Sequence, residues 1–354
     1  MGGYLMGLFG GDSASNPNPR NYPSTRLDAE RAQTADETPG VLLQVQPHAE
    51  NDGMADAKGV LQSVHDVVTN WRGKNISDSH TYELWFDGER IRFFMHAATE
   101  RSADKFRRRV GNNYSNSAVF RAGGEGFPRL SEGDYLAGAR LDLDRHYYYP
   151  IRHFRDGEGF EKDPYGEVTS EMLSTADTTV VVQVAFRPVP GGWTEGGWRG
   201  DSVDDVAESL RDGNVVGLLS PRVRDASSKE KAAAKVVEQQ RGQQAFSANI
   251  RVLAASPDQA EAEARARGVA GMFVKYYNAT TEQGFIADAV EDTPGLVDEM
   301  HARKWHDREM ILTVDELASA AHIPNEDIET PRIDWKHTQE GSRVPADSNR
   351  SETR

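Results

Sequence analysis

The stretch TYELWFDGERIRFFMHA, residues 81–97, constrains the fold more than any other part of the chain. Two apolar, aromatic runs flank Asp87–Gly88, residue types that tolerate positive φ. That is a β-hairpin signal. Upstream, VLLQVQP (41–47) reads as a strand. Val60, Leu61, Val64, Val67 and Val68 recur at the spacing of one helical face. Downstream, TERSADKFRRRV reads as a helix with Thr99 as N-cap and Ala103, Phe106 and Val110 on one face. SAVFRA supplies a further strand. The order is β-α-β-β-α-β, the ferredoxin-like arrangement of a four-stranded sheet covered by two helices.

The second half carries related parts. Val182-Gln183-Val184 is similar to Leu43-Gln44-Val45. Residues 245–278 parallel residues 89–116 when Ile250-Arg251 is set on Ile91-Arg92. Ser256-Pro257-Asp258-Gln259 reads as a helix start capped by Ser256, and Ala262, Ala266, Val269, Phe273 and Tyr276 form the buried stripe. The expected fold class is α+β, with two tandem ferredoxin-like (βαββαβ-type) modules over residues 39–154 and 155–310. A docking helix and extended arm follow over 311–335. Residues 1–38 and 336–354 hold no periodic apolar pattern and are expected to be disordered tails. Residues 227–244 read as an exposed polar helix.

Charge narrows the setting. Asp and Glu number 56 against 41 Lys and Arg, for a net charge of −15, and only ten of the basic residues are Lys. An acid-rich, lysine-poor, cysteine-free chain is the composition of a protein adapted to high salt, where screening makes self-repulsion cheap. Such a surface argues against broad nucleic-acid binding. Zero Cys excludes disulfides, thiol catalysis and Cys-type zinc sites. No apolar run reaches the length of a membrane-spanning helix. YLMGLFGG near the N-terminus is too short for a signal peptide; a frayed end is the plainer reading than a membrane contact.

Catalytic signals are sparse. WRGKN (71–75) lacks the glycine loop and the Ser/Thr of a P-loop, so ATP hydrolysis by that route is closed. Asp142, Asp144 and His146 would share a strand face, with His153 nearby, and could build a metal site or an acid/base pair. A half-buried strand with a solvated polar face and a tyrosine packing face is the plainer reading. His301 and His306 are spaced poorly for a helical metal pair. Arg107–Arg109 read as a solvated helix face. Trp193 and Trp198, in a glycine-rich loop, are candidate interface anchors. The chain is expected to be non-enzymatic, with no cofactor.

The most specific pattern closes the chain. In LTVDELASAAHIPNEDIETPRIDW (312–335), Thr313 and Glu316 form a capping box, Leu317 and Ala321 share a face, and Pro324 ends the helix. Thr330-Pro331 imposes an extended run. This resembles the segment just before the ATPase domain in conjugative-transfer ATPases, the coupling-protein and secretion relatives within the FtsK/HerA-like superfamily. The matching positions are Leu312, Thr313, Glu316, Leu317, Ala318, His322, Pro324, Thr330, Pro331 and Ile333. Tyr149-Pro150-Ile151 and Asp163-Pro164 add to it. The resemblance spans about residues 40–335 and implies the non-ATPase half of such a motor, in a haloarchaeal version without the P-loop domain. It implies a separately encoded P-loop ATPase as partner, with residues 312–335 as the docking arm. A homo-oligomeric ring, peripheral membrane association and a cytoplasmic location go with it, and DNA contact stays open. A structural protein of a halophilic virus or plasmid is the alternative, and a metal-dependent enzyme using Asp142, Asp144 and His146 is the next.

Overall fold

The computed structural model describes residues 18–32, 40–114, 116–123, 126–157, 159–196, 201–212, 215–216, 222–223, 225–307 and 310–336. In chain order the elements are β1 (Ser24–Arg26), α1 (Ala29–Ala32), β2 (Val41–Gln46), α2 (Met54–Val64), β3 (His80–Phe86), β4 (Ile91–Ala97), α3 (Glu100–Asn113) and β5 (Ala118–Arg121). Then come β6 (Tyr135–Leu143), α4 (Tyr165–Met172), β7 (Thr179–Pro188), α5 (Val203–Asp212), β8 (Val215–Val216), β9 (Arg222–Val223) and α6 (Ser228–Glu238). The last are β10 (Ala245–Ser256), α7 (Gln259–Met272), β11 (Phe285–Ala289), α8 (Thr293–His301), β12 (Ile311–Thr313) and α9 (Val314–Ala320).

The fold class is mixed α+β, built on one ten-stranded antiparallel sheet rather than two separate sheets. One set of strands lies in the order β5-β2-β4-β3 and the other in the order β11-β6-β10-β7. The sets join through β3 and β7, where Glu83 lies opposite Gln183. β1 extends the β6 edge beside β11, and β12 pairs with the start of β10.

Period-2 alternation sorts the strands into two faces. Tyr82, Leu84 and Phe86 face a core shared with α2, α3, α4, α7 and α9. Trp85 and Phe94 face the other side, packed with Leu296, Val297 and Met300 of α8. Both faces of the central strands are covered, so β3, β7 and β10 are buried at every or nearly every position. The expected hairpin is present as β3–β4; Gly88 turns it at φ +88, and a Cβ there would sit 2.0 Å from the Ala176 carbonyl oxygen. A third, small cluster packs α5 on α6, so the polar helix buries Ala233, Ala234 and Val237.

Several local expectations are redrawn. α2 stops at Val64, because His65 takes an extended conformation; Val68 is exposed. α7 is capped by Asp258, whose carboxylate accepts from Ala260 N and Glu261 N, while Ser256 Oγ accepts from Asp258 N. The Val182-Gln183-Val184 strand is the second of its set in chain order, whereas Leu43-Gln44-Val45 lies in the first, so the two are not equivalent. β6 opens the second set. Residues 18–32, expected within a disordered tail, are ordered: β1 pairs with β6, and Tyr22 and Leu27 are buried. Isolated apolar anchors of this kind leave no periodic trace. Residues 1–17 and 337–354 lie outside the described residues.

Candidate functional site

The segment 311–336 is not a free arm. Leu312 and Leu317 are fully buried in the main core. The expected capping box is formed: Glu316 Oε2 accepts from Thr313 N at 2.8 Å, and Thr313 Oγ1 accepts from Glu316 N. The other carboxylate oxygen, Oε1, accepts from Ile151 N at 2.8 Å. One side chain thus caps α9 and ties it to the chain leaving β6. Burial pushes the Glu316 carboxyl up to about 7, against the opposing pull of its Thr313 and Ile151 hydrogen bonds.

A helix end leaves carbonyls without intrahelical partners. Here tyrosines from three elements supply donors. Tyr276 OH donates to Ser319 O at 2.9 Å, Tyr165 OH to Ala320 O at 2.7 Å, and Tyr82 OH to His322 O. Tyr114 OH accepts from Ile323 N at 3.1 Å and donates to Gly53 O. Burial raises the pKa of all four hydroxyls, so they act as neutral donors.

His322 lies at the centre. Its Nε2 is 2.8 Å from Asp163 Oδ2 and its Nδ1 is 3.1 Å from Ser319 O. Each ring nitrogen faces an oxygen, so the imidazole bridges the Asp163 side chain and the end of α9. Tyr165 stacks on the ring at 4.2 Å. Thr330 Oγ1 reaches Thr169 Oγ1 (2.8 Å) and Gly166 O (3.2 Å). Pro324 is buried, with its carbonyl accepting from Asn51 Nδ2; Pro331 is exposed. Ile333 bridges to Ile91, where Ile91 N donates to Arg332 O and Asp334 N to Ile91 O.

Beside this junction opens a cleft of about 1340 Å³, lined by residues from 152–157 and 159–170, the start of α2, Lys275 and residues from 325–330. Asp156, Glu161, Asp163, Glu167, Asp327 and Glu329 dominate its charge, with Arg152, Lys162 and Lys275 opposing. The cleft is a groove between the chain entering α4 and the C-terminal segment, and its walls are held by the His322–Asp163 and Thr330–Thr169 contacts.

The other sequence candidates are placed elsewhere. β6 ends at Leu143, so Asp144 and His146 leave the strand face that Asp142 occupies. His146 packs on Tyr147, and His153 Nε2 meets Asp156 at 3.1 Å. Among the described residues, no group of three or more His, Asp or Glu is placed to hold a metal ion. Trp193 is half-buried and donates to Gln243 O at 2.9 Å; Trp198 lies outside the described residues. No helix among the described residues is long and apolar enough to cross a membrane. Of the tyrosines around α9 the sequence marks only Tyr276, and only as core, because nothing in a tyrosine's neighbours announces a remote carbonyl.

A family model, domain of unknown function (DUF8128), matches residues 18–336. The chain belongs to the DUF8128 family. The match takes in β1 at one end and the Ile333 bridge at the other, so the DUF8128 domain is the whole sheet together with its C-terminal segment. No curated protein matches the chain.

Proposed function

We propose that this DUF8128 chain is a non-catalytic accessory unit of a DNA-transfer or secretion-type motor in a halophilic archaeon or its mobile element, acting together with a P-loop ATPase. One observation carries the reading. The positions on which the resemblance rests, far apart in sequence, are partners in space: Glu316 with Ile151, and His322 with Asp163. Matching residues that contact one another point to a shared architecture rather than to a short look-alike helix.

The buried positions Leu312, Thr313, Glu316, Leu317, His322, Pro324, Thr330 and Ile333 then shape the segment from within. The partner would meet its exposed edge, which carries Glu326, Asp327, Glu329, Pro331 and Arg332. The sheet itself is read as two ferredoxin-like units fused through β3 and β7. The strand orders β5-β2-β4-β3 and β11-β6-β10-β7 support this, with α5 to α6 as an insertion in the second unit.

The test is affinity purification of the tagged chain from its host at native salt, with mass spectrometry. Recovery of a P-loop ATPase near one to one, lost in the triple variant E326K/D327K/E329K while the fold is kept, is the expected result. A preparation without any P-loop ATPase would overturn the reading.

A further inference from the structure

The turn between α2 and β3 holds a tryptophan in water on a rigid frame. Thr69 and Asn75 form an antiparallel bridge. Asn70 N donates to Lys74 O, and Gly73 N to Asn70 O, each at 2.9 Å. Asn70 Oδ1 accepts from Arg72 N (2.9 Å) and Lys74 N (3.0 Å). Gly73 stands at φ +75, a conformation glycine adopts without strain. Asn75 Nδ2 donates to Pro188 O at 2.8 Å, and Val68 N to Ser77 Oγ at 2.8 Å. The turn is therefore bonded within itself and pinned to the end of β7.

Its outward surface is apolar and cationic. Trp71 is 86% exposed, with Val68 at 47% and Ile76 at 50% beside it on the stem. The Arg72 guanidinium lies 4.4 Å over the Trp71 ring, and Lys74 is exposed at the tip. Residues 67–77 contain no Asp or Glu. The two carboxylates at the base of the stem each meet α3: Lys105 reaches Asp66 at 3.7 Å, and Ser102 Oγ donates to Asp78 at 3.3 Å. Arg101 and Arg108, exposed one turn to either side of Lys105, lie on the same side of α3, with Asp104 between them. On a chain of net charge −15 this is a cationic island. Trp71 adds nothing to any core, so its exposure on so firmly built a turn has no folding rationale.

We propose that the Trp71 turn is a wedge that docks the protein on an anionic lipid surface. The indole sits at the headgroup level, where an amphipathic ring is most at home. Trp71 leads at the tip, Val68 and Ile76 on the stem behind it add apolar area at the interface, and Arg72 and Lys74 pair with headgroup phosphates. Two aliphatic side chains beside the ring favour lipid over single-stranded nucleic acid, which is held by aromatic stacking and backbone-tracking cations. One small wedge gives reversible, salt-dependent binding. The proposal is independent of the motor reading.

The test is vesicle flotation of the full chain, with phosphatidylglycerol-containing vesicles against pure phosphatidylcholine. The expected result is partition into the anionic vesicles. Trp71→Ala should lower that partition about tenfold with unchanged melting. The pair R72E/K74E should abolish the preference for anionic lipid. No partition into anionic vesicles, or equal partition of W71A and the parent, would overturn the proposal. Binding of a single-stranded oligonucleotide without vesicle binding would overturn it in favour of a nucleic-acid platform.

Discussion

His322 Nε2 and Asp163 Oδ2 lie 2.8 Å apart across 159 residues of sequence, with the histidine fully buried. The contact joins the residues just before α4 to the end of α9, on the wall of the acidic cleft. Asp163→Ala would leave a buried ring nitrogen facing no acceptor, at a cost of about 2–4 kcal/mol. Asp163→Asn keeps an acceptor and should cost about 1 kcal/mol. Chemical denaturation at fixed high salt measures both; equal effects of the two variants would remove the hydrogen-bond account.

The opposite face of the sheet carries a second buried network. Arg303 Nε donates to Glu83 Oε1 at 2.8 Å, and Arg303 Nη2 to Gly126 O at 2.7 Å. Thr81, Trp85 and Gln183 also donate to the Glu83 carboxylate. Arg303→Leu should cost about 3–5 kcal/mol, because it leaves a buried carboxylate with neutral partners only. Glu83→Gln in the same background should recover part of that loss. A double-mutant cycle with no coupling between the two sites would contradict the network.

Glu316 makes stability depend on pH. Its folded-state pKa of about 7 lies above the ordinary 4.5. Between those values the native state holds a proton that the unfolded chain releases. This group's contribution is therefore largest below pH 4.5, falls as pH rises through the window, and is level above it. The slope approaches ~1.4 kcal/mol per pH unit at its steepest. Glu316→Gln should flatten this component of the stability–pH curve and cost about 1 kcal/mol for the oxygen acceptor lost.

His80 acts with the opposite sign. Burial, followed by the charges of His96 and Lys105, pushes its imidazole down from 6.5 to about 4. The native state keeps the ring neutral, whereas the unfolded chain protonates it below 6.5. Stability is lost as pH falls from 6.5 towards 4. His80→Phe retains a ring edge-on to Phe106, now 5.0 Å away, and removes the titration. The variant should lose less stability than the parent on acidification from pH 6.5 to 4; an identical loss would remove His80 as the source.

Local chemistry was legible in the residues themselves. The β3–β4 hairpin, the Thr99 cap of α3, the buried stripe of α7 and the Thr313–Glu316 box each rest on signals a few residues apart, which is the range of turn and capping interactions. The sequence also singled out Glu316, His322 and Thr330. It suggested an arm reaching outward, because capping and proline signals say where a helix begins and ends but not what covers it. Only the tertiary structure decided that these residues face inward. It also decided that β6 opens the second strand set, and that Tyr82, Tyr165 and Tyr276 meet the end of one short helix. Such contacts join residues that share no spacing. A buried tyrosine looks like ordinary core until the sheet order brings its hydroxyl to a carbonyl in need of a donor.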